Sequence, residues 1–257
     1  MIHEKKTVLV TVKAYPNPSS KYTETVCVAG IDLDKSQWIR LYPIPFRDLD
    51  DEKKFKKYSI IKVNTTKSSD TRPESYKADA DSIEVDKLID TKDKWEKRKA
   101  IVLPTQSKSF CEILKNQTEK DKSLGVFKPT NIDFYWTKRK KERDENKVEN
   151  IYAQLSFFNK SKNAIEQIPY DFRYTFTCAN ETSCTGHDLM IVDWELGQAY
   201  RSWRWKYKDE DVLLQKIKQR WLTNMCAPHN DVYFFVGNTN RFRDTFLVLG
   251  TFYPPKL

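Results

Sequence analysis

Five short apolar segments separated by polar turns occupy the first ninety residues, and they restrict the possible folds more than any other feature. The segments are residues 8–12, 23–29, 38–42, 57–63 and 82–85. Several short strands that return at polar turns are typical of small barrels and sandwiches. Because 39% of the 257 residues are hydrophobic and 13% are aromatic, packed cores can form. The pattern therefore predicts a small N-terminal β-barrel.

Helical spacing of apolar residues becomes common later in the chain. It predicts long helices over residues 194–207 and 209–225, after shorter ones near 93–100 and 109–115. Two strand segments and a Gly-Asn-Thr-Asn turn predict a hairpin over residues 232–252. The predicted fold class is α+β, with an N-terminal OB-like or PUA-like β-barrel and a second β-rich lobe that carries C-terminal helices and a hairpin.

A polar connector over residues 116–122 predicts the boundary between the two parts. We therefore expect an N-terminal β-barrel domain over residues 1–115 and a C-terminal α+β domain over residues 123–257. A charge run over residues 138–150 is predicted to be a solvated loop. Apolar-rich segments at 152–158 and 170–176 favour a second sheet or barrel.

Cysteine and histidine are concentrated in two short segments. Cys178, Cys184 and His187 lie within ten residues, and Cys226 and His229 follow later. Such groups are typical zinc ligands, although the five residues between Cys178 and Cys184 match no standard zinc pattern. One hypothesis is a structural zinc ion bound by Cys178, Cys184, His187 and Cys226, with Cys226 preferred to His229 because thiolates dominate structural sites. The alternative is that these cysteines are small buried apolar residues.

Carboxylates follow the same segment and allow two interpretations. His187, Asp188, Asp193 and Glu195 could surround a catalytic metal or act as acid and base. Alternatively, Asp193 caps the helix that follows, and Glu195 lies in its first turn, where the helix dipole favours negative charge.

The overall composition excludes some classes of protein. No phosphate-binding glycine loop and no Gly-x-Ser-x-Gly nucleophile motif occurs. The chain begins without an apolar leader, no apolar run is long enough to cross a bilayer, and five unpatterned cysteines favour a reducing cytoplasm. With 45 basic and 36 acidic residues the net charge is +9, which suits DNA or RNA as a partner.

Residues 26–40, with Val26-Cys-Val-Ala-Gly-Ile-Asp32 and Trp38-Ile-Arg40, resemble the opening of bacterial proteins described as carrying paired OB-type barrels. The match ends after Tyr42, where the Pro-x-Pro-Phe-Arg segment has no counterpart in those proteins. The whole chain is also similar to a family of uncharacterised bacterial proteins, through residues 42–47, 72–75 and 193–195. The first resemblance implies an OB-type barrel, and the second implies no activity.

Basic and aromatic residues occur together at positions that could bind a nucleic acid. Trp38, Arg40 and Tyr42 alternate along one strand and would share a face, with Arg47 nearby. Arg201 and Arg204 share a helix face in an Arg-Ser-Trp-Arg-Trp-Lys segment, and Arg72 lies in a loop restricted by a proline. Each set has a structural alternative. The strand residues could belong to the core, and Arg201 and Arg204 could lie on a solvated helix face. Arg72 could make a contact that holds its loop to the barrel.

The leading hypothesis is a cytoplasmic protein that recognises single-stranded or modified DNA or RNA through these basic and aromatic surfaces. A metal-dependent or acid–base enzyme acting on nucleic acid or nucleotides is the alternative from another class. A protein-interaction module is the third possibility.

Overall fold

The computed structural model describes residues 3–15, 18–19, 23–139, 167–179, 181, 183–240 and 242–256. Two predicted segments lie largely or wholly outside the described residues. Of the charge run over 138–150 only the first two residues are described, and none of the apolar-rich segment 152–158 is. Within the described part, no helix is long and apolar enough to cross a membrane.

The N-terminal region forms a closed five-stranded barrel, as predicted, although its fifth strand is Ser75–Ala78 and not the predicted segment 82–85. Its strands are β1 (Glu4–Lys13), β4 (Val26–Asp32), β5 (Gln37–Ile44), β6 (Ser59–Lys67) and β7 (Ser75–Ala78). They follow the ring order β1-β4-β5-β7-β6, and β1 closes the ring by pairing with β6. Only the short β5–β7 pairing is parallel among these strands. Strand β8 (Glu84–Leu88) extends the sheet from β6, and β2 (Pro18–Ser19) pairs with β3 (Thr23–Glu24) outside the ring.

Strand β1 is buried on both faces, which explains why its apolar run is continuous. Val8 and Val10 belong to the barrel interior. Leu9 and Val12 belong to a second core outside the barrel, and a register shift between Val10 and Val12 brings Val12 to that outer face. A bulge inserts one extra residue into the strand, so the side chains that follow it lie on the opposite face from the one that strict alternation would give. The barrel therefore presents an apolar outer face that has to be covered.

The second lobe is β-rich and supplies that cover. One three-stranded sheet contains β10 (Pro129–Lys138), β11 (Tyr170–Cys178) and β12 (His187–Met190). The other contains β9 (Leu124–Phe127), β13 (Tyr233–Asn238) and β14 (Phe246–Phe252), and β13–β14 is the predicted hairpin. Side chains from β9, β13 and β14 join those from the barrel in a shared core that includes Tyr233, Phe235 and Phe252.

Four α-helices complete the described part of the fold. They are α1 (Lys92–Val102), α2 (Phe110–Lys120), α3 (Trp194–Trp203) and α4 (Glu210–Lys218). Asp193 and Asp209 accept backbone hydrogen bonds at the starts of α3 and α4 and so cap them, as expected for aspartate at these positions. Helix α4 continues as a π-helical segment over Gln219–Asn224. Its apolar stripe of Leu213, Ile217, Trp221 and Met225 is buried, which confirms the predicted period.

Candidate metal centre and interlobe cleft

Three cysteines and one histidine converge in the second lobe. Cys111, Cys178, Cys184 and His187 each offer one ligand atom, and these four atoms all lie within 4.8 Å of one another. The Nε2 atom of His187 is 3.4 Å from the sulfur of Cys111, 3.6 Å from that of Cys178 and 3.3 Å from that of Cys184. The two sulfurs of Cys111 and Cys178 are 3.8 Å apart. This cluster could hold a metal ion.

A tight turn presents two of the four side chains. Cys184 and His187 flank Thr185 and Gly186, and Gly186 has a φ of +97°, a left-handed value that favours glycine. The backbone N–H of Cys178, at the end of β11, donates to the sulfur of Cys184 at 3.4 Å. Burial acts to raise the pKa of the Cys184 thiol, but N–H groups of Gly186 and Cys178 outweigh it, so the pKa lies below its ordinary value. The turn therefore favours a thiolate at Cys184.

Helix α2 brings in the fourth side chain from a distant part of the chain. Ser109 caps the helix by accepting a hydrogen bond from the N–H of Glu112 at 3.0 Å, and Glu112 in turn accepts from the N–H of Lys108 at 2.7 Å. This reciprocal arrangement fixes the first helical turn, which contains Cys111. Phe110 packs edge-on against the imidazole of His187, with ring centres 4.7 Å apart. The turn and the helix are thus held together by packing as well as by the cluster.

The distances agree with the edges of a tetrahedron around one ion. Metal–sulfur bonds of about 2.3 Å and a metal–nitrogen bond of about 2.0 Å place tetrahedral ligands about 3.8 Å apart for two sulfurs and about 3.5 Å apart for sulfur and nitrogen. The sulfurs of Cys111 and Cys178 are 3.8 Å apart, the S···N separations lie between 3.3 and 3.6 Å, and all four atoms lie within 4.8 Å of one another. One imidazole nitrogen has a single lone pair and cannot accept three S–H hydrogen bonds. The arrangement is one that a shared cation would account for.

The sequence-based ligand set needs one correction. Cys178, Cys184 and His187 converge as predicted, but the fourth member of the cluster is Cys111 and not Cys226. The sulfur of Cys226 lies 3.4 Å from the carbonyl oxygen of Trp221, on the turn that follows the π-helical segment. His229, the alternative to Cys226, has an exposed side chain beyond that turn. The pattern missed Cys111 because it lies 67 residues from Cys178.

The carboxylates considered as catalytic residues have separate partners. Asp188 accepts hydrogen bonds from Tyr135 at 2.5 Å and from Arg173 at 2.7 Å on the outer side of the sheet. Asp193 and Glu195 instead contact Lys57 of the barrel, at 3.1 and 3.3 Å. Among the described residues, the cluster that could hold a metal includes His187 but none of these carboxylates. The capping interpretation of Asp193 is confirmed by the hydrogen bond that it accepts from the N–H of Glu195.

The strand predicted to bind nucleic acid is not an open surface. Arg40 is only 4% exposed, contrary to the solvent-facing position that the pattern predicts. Its guanidinium donates to the carbonyl and hydroxyl oxygens of Ser123 at 3.2 and 3.0 Å. Trp38 packs edge-on against Phe235 with ring centres 5.8 Å apart. Of the three predicted side chains, Tyr42 alone is exposed. The second lobe covers this part of the barrel.

Arg72 and Glu74 also join the lobes. Arg72 donates to the backbone oxygen of Asn238 at 2.7 Å and is held by Asp70 of its own loop. Glu74 accepts from the N–H and the hydroxyl of Ser123 at 2.9 and 3.1 Å. Together with Arg40, these side chains form a buried polar junction between the barrel and the second lobe. The alternative in which the Arg72 loop has a structural role agrees with these contacts.

Replacing Arg40 tests this junction. We expect Arg40→Leu to lower the free energy of unfolding by about 1–3 kcal/mol, because buried oxygen atoms of Ser123 lose a charged donor. The matched control is Lys62→Leu, which changes an exposed residue of the same barrel and should alter stability by about 0.5 kcal/mol or less. Urea denaturation measures both. Equal stability of the two variants would contradict a structural role for Arg40.

The remaining predicted residues lie in more open surroundings. Arg201 and Arg204 are half-buried at the end of α3, and Arg47 is half-buried after β5. The guanidinium of Arg204 lies 5.0 Å from the ring centre of Trp205, a side chain that is 75% exposed. The basic and aromatic character predicted for this segment is therefore present at the surface.

A cleft of about 640 Å³ lies where the barrel, α1, α3 and β14 meet. Its polar side is formed by four basic residues and one carboxylate, namely Lys13, Lys56, Lys57, Arg98 and Glu195. Its apolar side includes four large aromatic side chains, those of Tyr58, Trp95, Trp194 and Tyr253. The amine of Lys57 approaches β14 so closely that a Cβ atom at Gly250 would lie 2.9 Å from it. Of the residues that line it, only Glu195 was among the candidate site residues predicted from the sequence.

Fold and site together define a two-lobed α+β protein with a barrel, a candidate metal centre and an interlobe cleft. A family model described as "Domain of unknown function (DUF8757)" matches residues 106–257, and the chain belongs to that family because the match covers more than half of it. A second model, "Domain of unknown function (DUF8758)", matches residues 4–104. No curated protein matches the chain.

Proposed function

We propose that the protein binds single-stranded DNA or RNA, using the basic and aromatic surface at the end of α3. The observation that carries the proposal is the exposure of Trp205, which at 75% is the highest among the large hydrophobic side chains of the described residues. Arg204 lies beside its ring, and Lys206 follows it. Exposed aromatic rings next to cations are the elements with which proteins bind unpaired bases and the adjoining phosphates. A net charge of +9 favours the same partner.

The barrel topology gives secondary support. The fifth ring strand, β7, lies between the third and fourth and pairs in parallel with β5. This Greek-key closure supports the proposal of an OB-type barrel, a fold that often binds oligonucleotides. The second lobe covers the Trp38 and Arg40 side of the barrel, however, so the proposed contacts lie on α3 instead of that strand.

Zinc is the metal that we propose for the cysteine–histidine cluster. Three thiolates and one imidazole in a tetrahedral arrangement are typical of structural zinc sites. Four protein ligands leave no coordination position for water or substrate, so the proposed role is to hold α2 against β11 and β12. A cytoplasmic location belongs to the same proposal, because a reducing compartment keeps thiols available for the metal.

Binding to labelled oligonucleotides tests the proposed function. We expect 20-nucleotide single strands of DNA or RNA to bind at low salt and to dissociate as salt rises, because phosphate contacts release counterions. Trp205→Ala should weaken binding by about 1–3 kcal/mol through the loss of a stacking platform. Fluorescence anisotropy over a salt series measures the dissociation constants.

Val212→Ala is the matched control, because it truncates an exposed apolar side chain on the neighbouring helix α4. Its affinity should equal that of the unaltered protein. Absence of binding to every single strand at low salt, or equal affinities for the Trp205 and Val212 variants, would contradict the proposal.

A further inference from the structure

The interlobe cleft differs in charge from a second cavity of similar size. A cavity of about 560 Å³ beside Trp38 is lined by three acidic and three basic residues, which are Asp32, Glu74, Glu112, Lys35, Lys120 and Lys122. The interlobe cleft is lined by four basic residues and only one carboxylate. Although Asp193 lies behind Lys57 and balances one of these charges, an excess of positive charge remains. The cleft therefore suits an anionic ligand, whereas the second cavity does not.

Tyr58 supplies an independent indication that a ligand enters the cleft. The side chain is only 6% exposed, and it lines the cleft. Its hydroxyl group is buried but has no hydrogen-bond partner among the described residues. Buried hydroxyl groups are almost always hydrogen-bonded, so an unpartnered one next to a cavity indicates a polar group that the cavity receives. Burial raises the pKa of the Tyr58 hydroxyl, which therefore stays protonated and available as a donor.

Two of the aromatic residues that line the cleft have unusual backbone conformations. Tyr58 has a φ of +66° and Trp95 a φ of +65°, which are left-handed values rarely adopted by bulky side chains. Asp93 and Lys94 share this conformation, so α1 begins with a left-handed turn that ends at Trp95. The two rings meet edge-on with centres 6.1 Å apart, and Arg98 lies 4.0 Å from the ring centre of Tyr58. Strained backbone of this kind is concentrated at ligand-binding sites.

From these observations we infer that the interlobe cleft binds a nucleoside monophosphate, either as a free nucleotide or as one unit of a nucleic acid strand. The base would contact the aromatic wall of Trp95 and Tyr58, and the phosphate would lie against the basic side of the cleft. A volume of about 640 Å³ is within the range of small-ligand sites. The strand form rests on the proposed function, since Gln198 and Ser202 of α3 line the cleft on the helix that leads to Trp205.

Titration of the full-length protein with AMP, GMP, CMP and UMP tests the inference. Because Trp95 and Trp194 line the cleft, a bound nucleotide should quench the tryptophan fluorescence. We expect at least one nucleotide to bind more tightly than its nucleoside or inorganic phosphate alone, because each of these probes makes only part of the contacts.

Two variants separate the contacts. Tyr58→Phe removes only the hydroxyl group and should weaken nucleotide binding about two- to tenfold, the effect of one lost hydrogen bond. Lys56→Gln removes an exposed charge at the cleft and should weaken nucleotide binding while leaving nucleoside binding unchanged. Melting temperatures equal to that of the unaltered protein verify folding, and Val212→Ala serves as the control with unchanged binding.

Competition with an oligonucleotide distinguishes the two sources of the ligand. If the oligonucleotide binds more tightly than the mononucleotide and the mononucleotide displaces it, the ligand of the cleft is one unit of a strand. If the mononucleotide binds without displacing the oligonucleotide, the ligand is a free nucleotide. If oligonucleotides bind but no mononucleotide does at millimolar concentration, or if neither variant changes the affinity, the inference is overturned while the proposed function stands. If a mononucleotide binds but no oligonucleotide does, the inference stands and the proposed function is overturned.

Discussion

Serine in place of Cys184 should prevent binding of the proposed zinc ion and unfold the second lobe. The sulfur of Cys184 lies 3.3 Å from Nε2 of His187 at the centre of the cluster, and a serine hydroxyl is a poor zinc ligand. Structural zinc contributes about 10–16 kcal/mol in small zinc-binding domains. Since domains of ordinary size are stable by only about 5–15 kcal/mol, loss of most of this contribution would unfold the lobe. A zinc chelator should lower the melting temperature of the unaltered protein for the same reason.

Elemental analysis and thermal denaturation of three proteins measure this effect. We expect about one zinc ion per chain in the unaltered protein and in Cys226→Ser, and none in Cys184→Ser. Cys226→Ser is a close control, because it makes the same chemical change at a cysteine outside the cluster. An unaltered protein free of metal would contradict the zinc proposal. Equal loss of zinc in both variants would contradict the assignment of Cys111 as the fourth ligand.

Loss of the Lys57 amine should have the second largest effect. Lys57 and Asp193 form an ion pair at 3.1 Å, with side chains that are 6% and 4% exposed. Lys57→Met keeps most of the length of the side chain but leaves the Asp193 carboxylate buried without its cation. Breaking a buried pair in this way costs about 3–5 kcal/mol. Urea denaturation should therefore show a strongly reduced free energy of unfolding.

The neighbouring lysine provides the control for this change. Lys56 is exposed, so Lys56→Met should alter stability by about 0.5 kcal/mol or less. A Lys57→Met/Asp193→Asn double variant should recover part of the loss, because asparagine removes the unpaired charge and still caps α3. A Lys57→Met protein as stable as the Lys56→Met protein would show that the ion pair does not stabilise the fold.

Local periodicity was sufficient to predict many of the elements of the fold. Four of the five segments expected as barrel strands, the hairpin and the last helices occur as predicted, because each depends on apolar spacing within about ten residues. The segment 82–85 overlaps β8, which extends the sheet from β6, and the fifth ring strand is β7, which the pattern did not predict. The apolar run of β1 was less informative. A strand buried on both faces has no alternation, so the sequence could not show that one of its faces lies against another lobe.

The site was harder to predict, because its residues come together only in the folded chain. Cys184 and His187 belong to one turn and could be recognised from their spacing, whereas Cys111 reaches the cluster from α2. A sequence signal existed only in the Ser109-x-x-Glu112 capping pattern, which places Cys111 in a first helical turn but does not indicate what that turn faces. Arg40 was misjudged for a related reason, since alternation along β5 identifies its face but not the lobe that covers it.

The core shared by barrel and second lobe has a consequence for how such chains can evolve. The two family matches meet near residue 105, yet Leu9 of the first region and Phe235 of the second belong to the same buried cluster. A larger or smaller side chain on one side then requires a compensating change on the other. We therefore expect the two regions to be inherited together as a matched pair, and not to be exchanged among unrelated proteins as independent modules.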